Sequence, residues 1–382
     1  AIFVLWAITG KLDAPGAIYL NAKGLETPKL FEIPEDDKPI GVDEFPLFYK
    51  FSGLGQFSRF PKAVLEDEPY PVRGLMILGG SPVLSFPDSK SWREAYKKLD
   101  CLIVLDRYFT EDARYADVVF PACSLFEVPK AVPGPEGPHI VEPLIEPVGE
   151  SKNDVLIMGA IAKKLGFGDK LPQTEEELRS WLLSGTAPYA GDFGTSADQK
   201  KEKHYKKYET GELRADGKPG FPTPSGKLEI CSTILEENGF VPYPEYKDVR
   251  SIPELAGKEY PFTMTSGARS NNRMGVFGAN LDKIAEIEPY PFVDINEEDA
   301  KEIGIKDGDM VKVITPFADG TFKAKIRGIA RHAIHIPHGG GSAYMAEPWK
   351  NGNVNDLCSL DYADPMTGFV LIKSVPCRVE KV

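Results

Sequence analysis

The chain has 382 residues, 42% of them hydrophobic, and a formal net charge of −12. This length should hold two domains, each large enough for its own core. The acidic balance argues against a nucleic-acid or anionic-membrane surface, and no apolar run approaches the roughly 18 residues of a membrane-spanning helix.

The first ten residues have the pattern of the last turns of a helix. They open inside an apolar segment, lack an initiator Met and the features of a signal peptide, and end at Gly10 before a Pro15-Gly16 turn. Residues 17–72 are rich in Pro, Gly and aromatic residues without clear periodicity. We therefore predict an irregular, partly packed segment there, with regular structure starting at Gly74.

The following stretch predicts a parallel sheet. Apolar runs at 75–78, 101–105 and 118–120 read as strands, separated by a helix over 89–99 and a helical turn over 111–115. A further helix is predicted over 154–165, closed by Gly166. Strands that are apolar on both faces and alternate with helices indicate an α/β fold with a covered, Rossmann-like sheet.

A different pattern begins after a polar connecting stretch. Residues 200–207 form a charge run that we interpret as a solvated face. Beyond it, strands are predicted at 292–295, 310–314 and 322–327, with a short helix over 297–303 capped by Asn296 and ended by Gly304. Short strands separated by a short helix and turns are typical of a small β-barrel. We predict domains over 1–183 and 259–382, with a connecting segment over 184–258.

Asp106 is the sharpest candidate for a binding residue. A carboxylate just past an apolar strand lies where open α/β sheets bind ligands. It can accept two hydrogen bonds from the N1–H and N2–H₂ edge of guanine. The alternative is that Asp106 only caps the turn that follows.

The segment Gly79-Gly80-Ser81-Pro82 is a second candidate. Without a Cβ, backbone N–H groups can approach an anionic or planar group closely, although a plain turn is the simpler interpretation. The nicotinamide-binding G-x-G-x-x-G pattern is not present between strand and helix. Asp154, at the start of a predicted helix, is either a ligand contact or a helix N-cap.

These segments together resemble the C-terminal half of the molybdopterin oxidoreductases, the dimethyl sulfoxide reductase superfamily. The resemblance covers about residues 1–16 and 73–382. Its motifs are the Gly79–Asp88 segment, Asp106 followed by Thr110, the Thr265–Arg269 turn, and the Asp364-Pro-Met-Thr-Gly368 segment between Asn355 and Lys373. Ser81 stands where the family usually has asparagine, which puts a side-chain amide contact there in doubt.

The resemblance implies a double-psi β-barrel (aspartate decarboxylase-like) after the α/β domain, and two molybdopterin guanine dinucleotides holding molybdenum or tungsten. The cofactor-binding residues that it implies are Gly79, Gly80, Ser81, Pro82, Asp88, Asp106, Thr110, Asp154, Gly267, Arg269, His338, Asn355 and Lys373. It implies no catalytic residue within this chain.

The resemblance also implies a longer protein. We expect an N-terminal half that carries the metal-ligating residue and any [4Fe–4S] cluster, and we expect this chain alone to be inactive. An iron–sulfur electron-transfer subunit is a possible further partner. The cytoplasm is the favoured location, and export stays open.

Histidines and cysteines offer no obvious metal site. His332, His335 and His338 are three residues apart, and in a strand this spacing sends neighbours to opposite faces. His338 precedes Gly339-Gly-Gly341, where backbone could approach a pterin. The five cysteines are widely spaced without a C-x-x-C pair, which predicts free thiols.

Three alternatives stay open at this point. The large subunit of respiratory NADH dehydrogenase has a similar fold without a molybdenum cofactor. A redox-neutral hydratase of the same superfamily would show the same residues. A plain α/β nucleotide-binding module would leave the barrel half unexplained.

Overall fold

Parallel strands and a closed barrel are the main β-structures of the computed structural model, which describes residues 2–20, 38–132, 139–183, 205–267 and 280–382. The helices are α1 (Ile2–Ile8), α2 (Pro46–Ser52), α3 (Phe60–Glu66), α4 (Pro82–Ser85), α5 (Ser89–Lys98), α6 (Asp154–Lys164), α7 (Glu175–Leu183), α8 (Lys207–Thr210), α9 (Thr233–Glu237), α10 (Asp282–Ile287) and α11 (Glu297–Glu302). The strands are β1 (Gly74–Leu78), β2 (Cys101–Asp106), β3 (Val118–Pro121), β4 (Lys130–Val132), β5 (His139–Val141), β6 (Phe262–Ser266), β7 (Phe292–Asn296), β8 (Met310–Ile314), β9 (Asp319–Arg327), β10 (Ala333–Ile336) and β11 (Lys373–Lys381).

The predicted parallel sheet is confirmed. Its order is β1-β2-β3, and both pairings are parallel. The register pairs Gly74 with Cys101 and Asp106 with Pro121, so the three strands end at one edge. Helix α5 shares a core with this sheet, with Trp92 completely buried and Tyr96 nearly so.

The interpretation of residues 17–72 as irregular was wrong in part, because α2 and α3 lie within them. Both helices have a proline in the first turn, where the missing N–H is not needed and the fixed φ favours the helix. Phe60 and Val64 of α3 are buried in the same core as Trp92. The proline content therefore marked helix starts.

The C-terminal barrel is also confirmed. Its six strands close in the order β10-β6-β11-β8-β9-β7, with β6 parallel to β10 and β7 parallel to β9. Apolar residues from every strand fill the interior. The Asn296 side chain caps α11 by accepting hydrogen bonds from Glu298 and Asp299. The double-psi crossing remains a prediction.

Two compact units share the chain. One comprises Ala1–Pro34, Ser124–Val148 and Val155–Tyr246, and the other comprises Glu35–Cys123, Gly149–Asp154 and Lys247–Val382. The parallel sheet and the barrel both belong to the second unit. The domain boundaries predicted from the sequence, at residues 183 and 258, remain predictions.

A buried ion pair lies within the first unit. Lys207 and Asp13 are 1% and 0% exposed, and their side chains are hydrogen-bonded to each other. The Lys207 ammonium also lies 3.7 Å from the centroid of the Tyr19 ring. Lys207 was expected to be solvated with its charge run, which is wrong because burial with a carboxylate satisfies the charge.

The described residues include no helix that is both long and apolar enough to cross a membrane. As predicted, the five cysteines, all within the described residues, form no disulfide bond with one another. Burial raises the pKa of Cys358 and of Cys377 to about 12, so both thiols are unreactive at neutral pH.

The Asp13–Lys207 pair should contribute strongly to stability. Burial by itself would raise the Asp13 pKa, but hydrogen bonds from Lys207 outweigh it and lower that pKa below 3.8. Asp13→Ala should lower the free energy of unfolding by about 3–5 kcal/mol at pH 7, since it leaves a buried ammonium unpaired. The difference should shrink as the pH falls through the Asp13 pKa.

Denaturant unfolding at several pH values measures this effect. Asp43→Ala is the control, because Asp43 forms an exposed pair with Lys38 that should contribute about 0–1 kcal/mol. Equal losses in the two variants would contradict a structural role for the buried pair.

Candidate functional site

The carboxyl edge of the parallel sheet gathers three of the predicted binding segments. Gly79, just after β1, donates its N–H to the Leu105 carbonyl of β2 at 2.9 Å. Ala122 donates to the Asp106 carbonyl at 3.1 Å, and Lys152 donates to the Pro121 carbonyl at the same distance. This ladder brings the chain to Asp154. Ligands of open α/β sheets bind at this edge.

Asp106 is half-buried at the end of β2. Its Oδ1 accepts the N–H of Tyr108 at 3.0 Å, so the predicted turn contact exists. Burial raises the pKa of Asp106 in spite of backbone hydrogen bonds and the charge of Arg107, which lower it. Any additional hydrogen-bond donor would therefore stabilise the charged form of this carboxylate.

Asp154 lies close enough to Asp106 for the negative charge of Asp106 to raise the Asp154 pKa. It is the first residue of α6, not its N-cap, and its Oδ1 is buried without a hydrogen-bond partner among the described residues. Burial raises the Asp154 pKa, and repulsion from Asp106 raises it further. The pair therefore fits a ligand that presents neighbouring N–H donors, as guanine does.

The glycine segment after β1 is open to a ligand. A Cβ added to Gly79 or Gly80 would meet no atom within 4 Å, and Gly79 has a positive φ of 59°. Within the described ranges, the N–H groups of Gly80 and Ser81 donate no hydrogen bond. Adjacent unpaired N–H groups of this kind suit an anion such as a phosphate.

The Ser81 side chain faces the protein interior. Its hydroxyl donates to Asp112, which is completely buried and also accepts from the Val83 N–H at 3.1 Å and the Tyr96 hydroxyl at 2.7 Å. Burial raises the Asp112 pKa against these three hydrogen bonds. Sequence reasoning missed Asp112, because nothing in the spacing links it to Ser81, 31 residues away.

Other predicted site residues make local contacts that shape the segment. The Asp88 carboxylate caps α5 by accepting the Ser91 N–H, and the Thr110 hydroxyl accepts the Ala113 N–H at 3.2 Å. Pro82 is buried at the start of α4. Their roles toward a cofactor remain predictions.

Barrel loops reach the same segment. Asn355 is buried, and its Nδ2 donates to the Leu84 carbonyl of α4 at 2.7 Å and lies 3.3 Å from Nδ1 of His338. The Ala343 N–H donates to the buried carboxylate of Glu111 at 3.1 Å. Of the predicted barrel residues, Asn355 therefore contacts the segment that follows the glycine segment directly, and His338 contacts Asn355.

Gly267 and Lys373 occupy another part of the barrel. Lys373 opens β11 opposite Thr265, and Gly267 follows β6 in an exposed position. The Lys373 ammonium makes no hydrogen bond or ion pair with the residues that the structure describes. It borders a cavity of about 520 Å³ whose apolar lining includes Val249, Ile252, Phe369 and Leu371. Arg269 lies outside the described residues.

The three barrel histidines contact three different partners, as their spacing predicted. His332 donates its N–H to Asp299 at 2.7 Å, His335 Nδ1 lies 2.9 Å from Asp294, and His338 contacts Asn355. In the described ranges, His, Cys, Asp and Glu side chains form no group of three suited to a metal ion.

Two family models match the chain. Residues 58–164 match the model described as molybdopterin oxidoreductase, and residues 263–376 match the molydopterin dinucleotide binding domain. The first match contains the sheet and its glycine segment. The second contains most of the barrel, with Gly267, His338, Asn355 and Lys373.

Curated relatives agree with these matches. The alpha subunit of an F420-dependent formate dehydrogenase from Methanocaldococcus jannaschii is 30% identical over 285 residues, which are 72% of this chain and 39% of the relative. A probable oxidoreductase of Bacillus subtilis is 31% identical over 307 residues, 78% of this chain and 41% of the relative. The chain thus spans about two-fifths of these relatives' length.

A solved structure shares the fold. The acetylene hydratase from Pelobacter acetylenicus superimposes with a TM-score of 0.71 at 21% identity, covering 90% of this chain and 52% of the other. By sequence, the acetylene hydratase of Syntrophotalea acetylenica is 25% identical over 302 residues, 76% of this chain and 40% of that protein.

Removing the charge of Asp154 should stabilise the protein. Its raised pKa means that burial and repulsion outweigh the attraction between a carboxylate and the start of α6. The loss of folding stability caused by the charged Asp154 is absent below the ordinary pKa of 3.8. It grows as the pH rises through the raised pKa. Asp154→Asn should therefore add about 1 kcal/mol to the free energy of unfolding at pH 7 and nothing near pH 3.

Thermal unfolding of the wild type and of Asp154→Asn across this pH range measures the difference. Asp169→Asn, at a side chain 74% exposed, is the matched control and should show no pH-dependent gain. A gain from Asp154→Asn that is equal at every pH would contradict the buried charge of Asp154 as its cause.

Proposed function

Because the chain belongs to the molybdopterin oxidoreductases, with relatives in the dimethyl sulfoxide reductase family, we propose that it is the cofactor-binding C-terminal portion of a molybdenum or tungsten enzyme. It would hold two molybdopterin guanine dinucleotides. The observation that carries this proposal is the partly buried carboxylate pair, Asp106 and Asp154, beside the open glycine segment.

The residues present fit a guanine dinucleotide. Asp106 and Asp154 would accept hydrogen bonds from the base, and the N–H groups of Gly80 and Ser81 would bind phosphate oxygens. Lys373 would supply a positive charge, since its ammonium has no partner among the described residues. Gly267, Arg269, His338 and Asn355 would line the barrel side. The remaining residues, Gly79, Pro82, Asp88 and Thr110, would hold the loops in place.

When bound, the metal centre supplies the two-electron redox chemistry of the enzyme. This chain's residues bind and orient the nucleotide portions. We propose that the metal-ligating residue and any [4Fe–4S] cluster belong to an N-terminal half, because the chain spans only about two-fifths of its relatives. An iron–sulfur electron-transfer subunit is a further proposed partner, consistent with a relative that is itself an alpha subunit.

A redox-neutral hydratase is the second candidate function. Acetylene hydratase is similar to this chain in sequence and in fold, which favours this alternative over the other two. Electron transfer from the loaded enzyme to an artificial dye would support the oxidoreductase. Addition of water to a substrate without electron transfer would support the hydratase.

Asp106→Asn should weaken retention of the guanine dinucleotide. The substitution preserves size but turns one acceptor into a donor that faces guanine's own donors, at about 1–3 kcal/mol per unsatisfied pair. Mass spectrometry of released nucleotide measures guanine content per chain, with Asp169→Asn as the exposed control. Equal guanine content in wild type and Asp106→Asn would remove Asp106 from the site.

The 382-residue chain, expressed alone in a host that makes the cofactor, should hold no stoichiometric molybdenum or tungsten and show no dye-linked activity. Binding free energies enter the affinity exponentially, so a cofactor held by half its contacts loses far more than half its affinity. Elemental analysis tests this. One metal per chain with turnover would show that these residues form a complete enzyme.

A further inference from the structure

We propose that Asp112 is a positioning residue for the nucleotide loop formed by Gly79, Gly80 and Ser81. The inference rests on the proposed function, because it concerns how the same site is kept in a binding conformation. Asp112 would act through Ser81 and Val83 without touching the ligand.

The loop is attached at both of its ends. At its start, Gly79 donates its N–H to the Leu105 carbonyl at 2.9 Å, which continues the parallel sheet by one residue. At its end, Asp112 accepts the Ser81 hydroxyl and, at 3.1 Å, the Val83 N–H. Between these attachments, the Gly80 and Ser81 N–H groups have no acceptor in the described part of the chain.

Asp112 can hold the loop in place because its carboxylate accepts hydrogen bonds from uncharged donors that belong to separate elements. It is completely buried, and its third donor is the Tyr96 hydroxyl of α5 at 2.7 Å. Within the described ranges it forms no ion pair with a cation. A buried carboxylate without a cation is stable only while its hydrogen bonds persist, so displacement of the loop would leave Asp112 unsatisfied.

The hydrogen bond to Asp112 gives the Ser81 side chain a role in holding the loop. In this chain the hydroxyl is turned inward to Asp112, so the side chain holds the loop and the backbone N–H groups are left for the ligand. The loop enters the bound state with little conformational freedom to lose.

Ser81→Ala and Tyr96→Phe separate positioning from general stability. Each removes one hydrogen bond to Asp112, but only Ser81 lies on the loop. Titration calorimetry of the apoprotein that includes the proposed N-terminal half, with GDP as the probe, gives the affinity, and thermal unfolding gives the stability. Ser81→Ala should weaken GDP binding about tenfold, whereas Tyr96→Phe should lower the Tm and leave the affinity within about twofold.

Asp112→Asn is the further variant and should weaken GDP binding at least as much as Ser81→Ala. Unchanged affinity in Ser81→Ala, or equal losses in Ser81→Ala and Tyr96→Phe, would overturn the positioning role alone. Wild-type apoprotein with both halves that binds no GDP would overturn the proposed nucleotide site, and the inference with it.

Discussion

Burial of two carboxylates at the carboxyl edge of the parallel sheet is the constraint on which the proposed site depends. Asp106 and Asp154 both have a raised pKa through burial, and the charge of Asp106 raises the Asp154 pKa further. One Asp154 oxygen is buried without a partner among the described residues. The sheet places both groups there because β2 ends at Asp106 and the Pro121–Lys152 hydrogen bond leads the chain to Asp154. Two partly buried carboxylates lower the stability of the protein when no ligand is bound. A ligand with several hydrogen-bond donors would stabilise their charged forms.

The barrel contributes to this site through contacts with the segment that follows β1. The Asn355 amide bonds the Leu84 carbonyl, and Glu111, next to Asp112, accepts the Ala343 N–H. Asp112 thus bonds the loop formed by Gly79, Gly80 and Ser81, and a barrel residue bonds Leu84 of α4, which follows that loop. Substitutions at Asn355 or Ala343 in the barrel loops should therefore affect the segment that follows β1.

The sequence predicted much of this arrangement where the signal was local. Strands β1 to β3, helix α5 and the Asn296 cap depend on neighbours within a few residues, and all were predicted correctly. Helices α2 and α3 were missed because their prolines suggested irregular structure. The burial of Lys207 and the role of Asp112 depend on partners 194 and 31 residues away, which periodicity does not reveal. Arg269, predicted from the family motif, stays a prediction.

The charges around the loop also determine which nucleotide the proposed site would select. The chain carries a net charge of −12, and Asp106, Asp154 and Asp112 all lie near the loop, so long-range attraction of phosphates is weak. Selectivity must then come from the hydrogen-bonding edge of the base. Guanine presents N1–H and N2–H₂ donors to the carboxylates, whereas adenine presents an N1 acceptor that would face a negative charge. The same two carboxylates that lower the stability of the unliganded edge would therefore favour guanine and reject adenine.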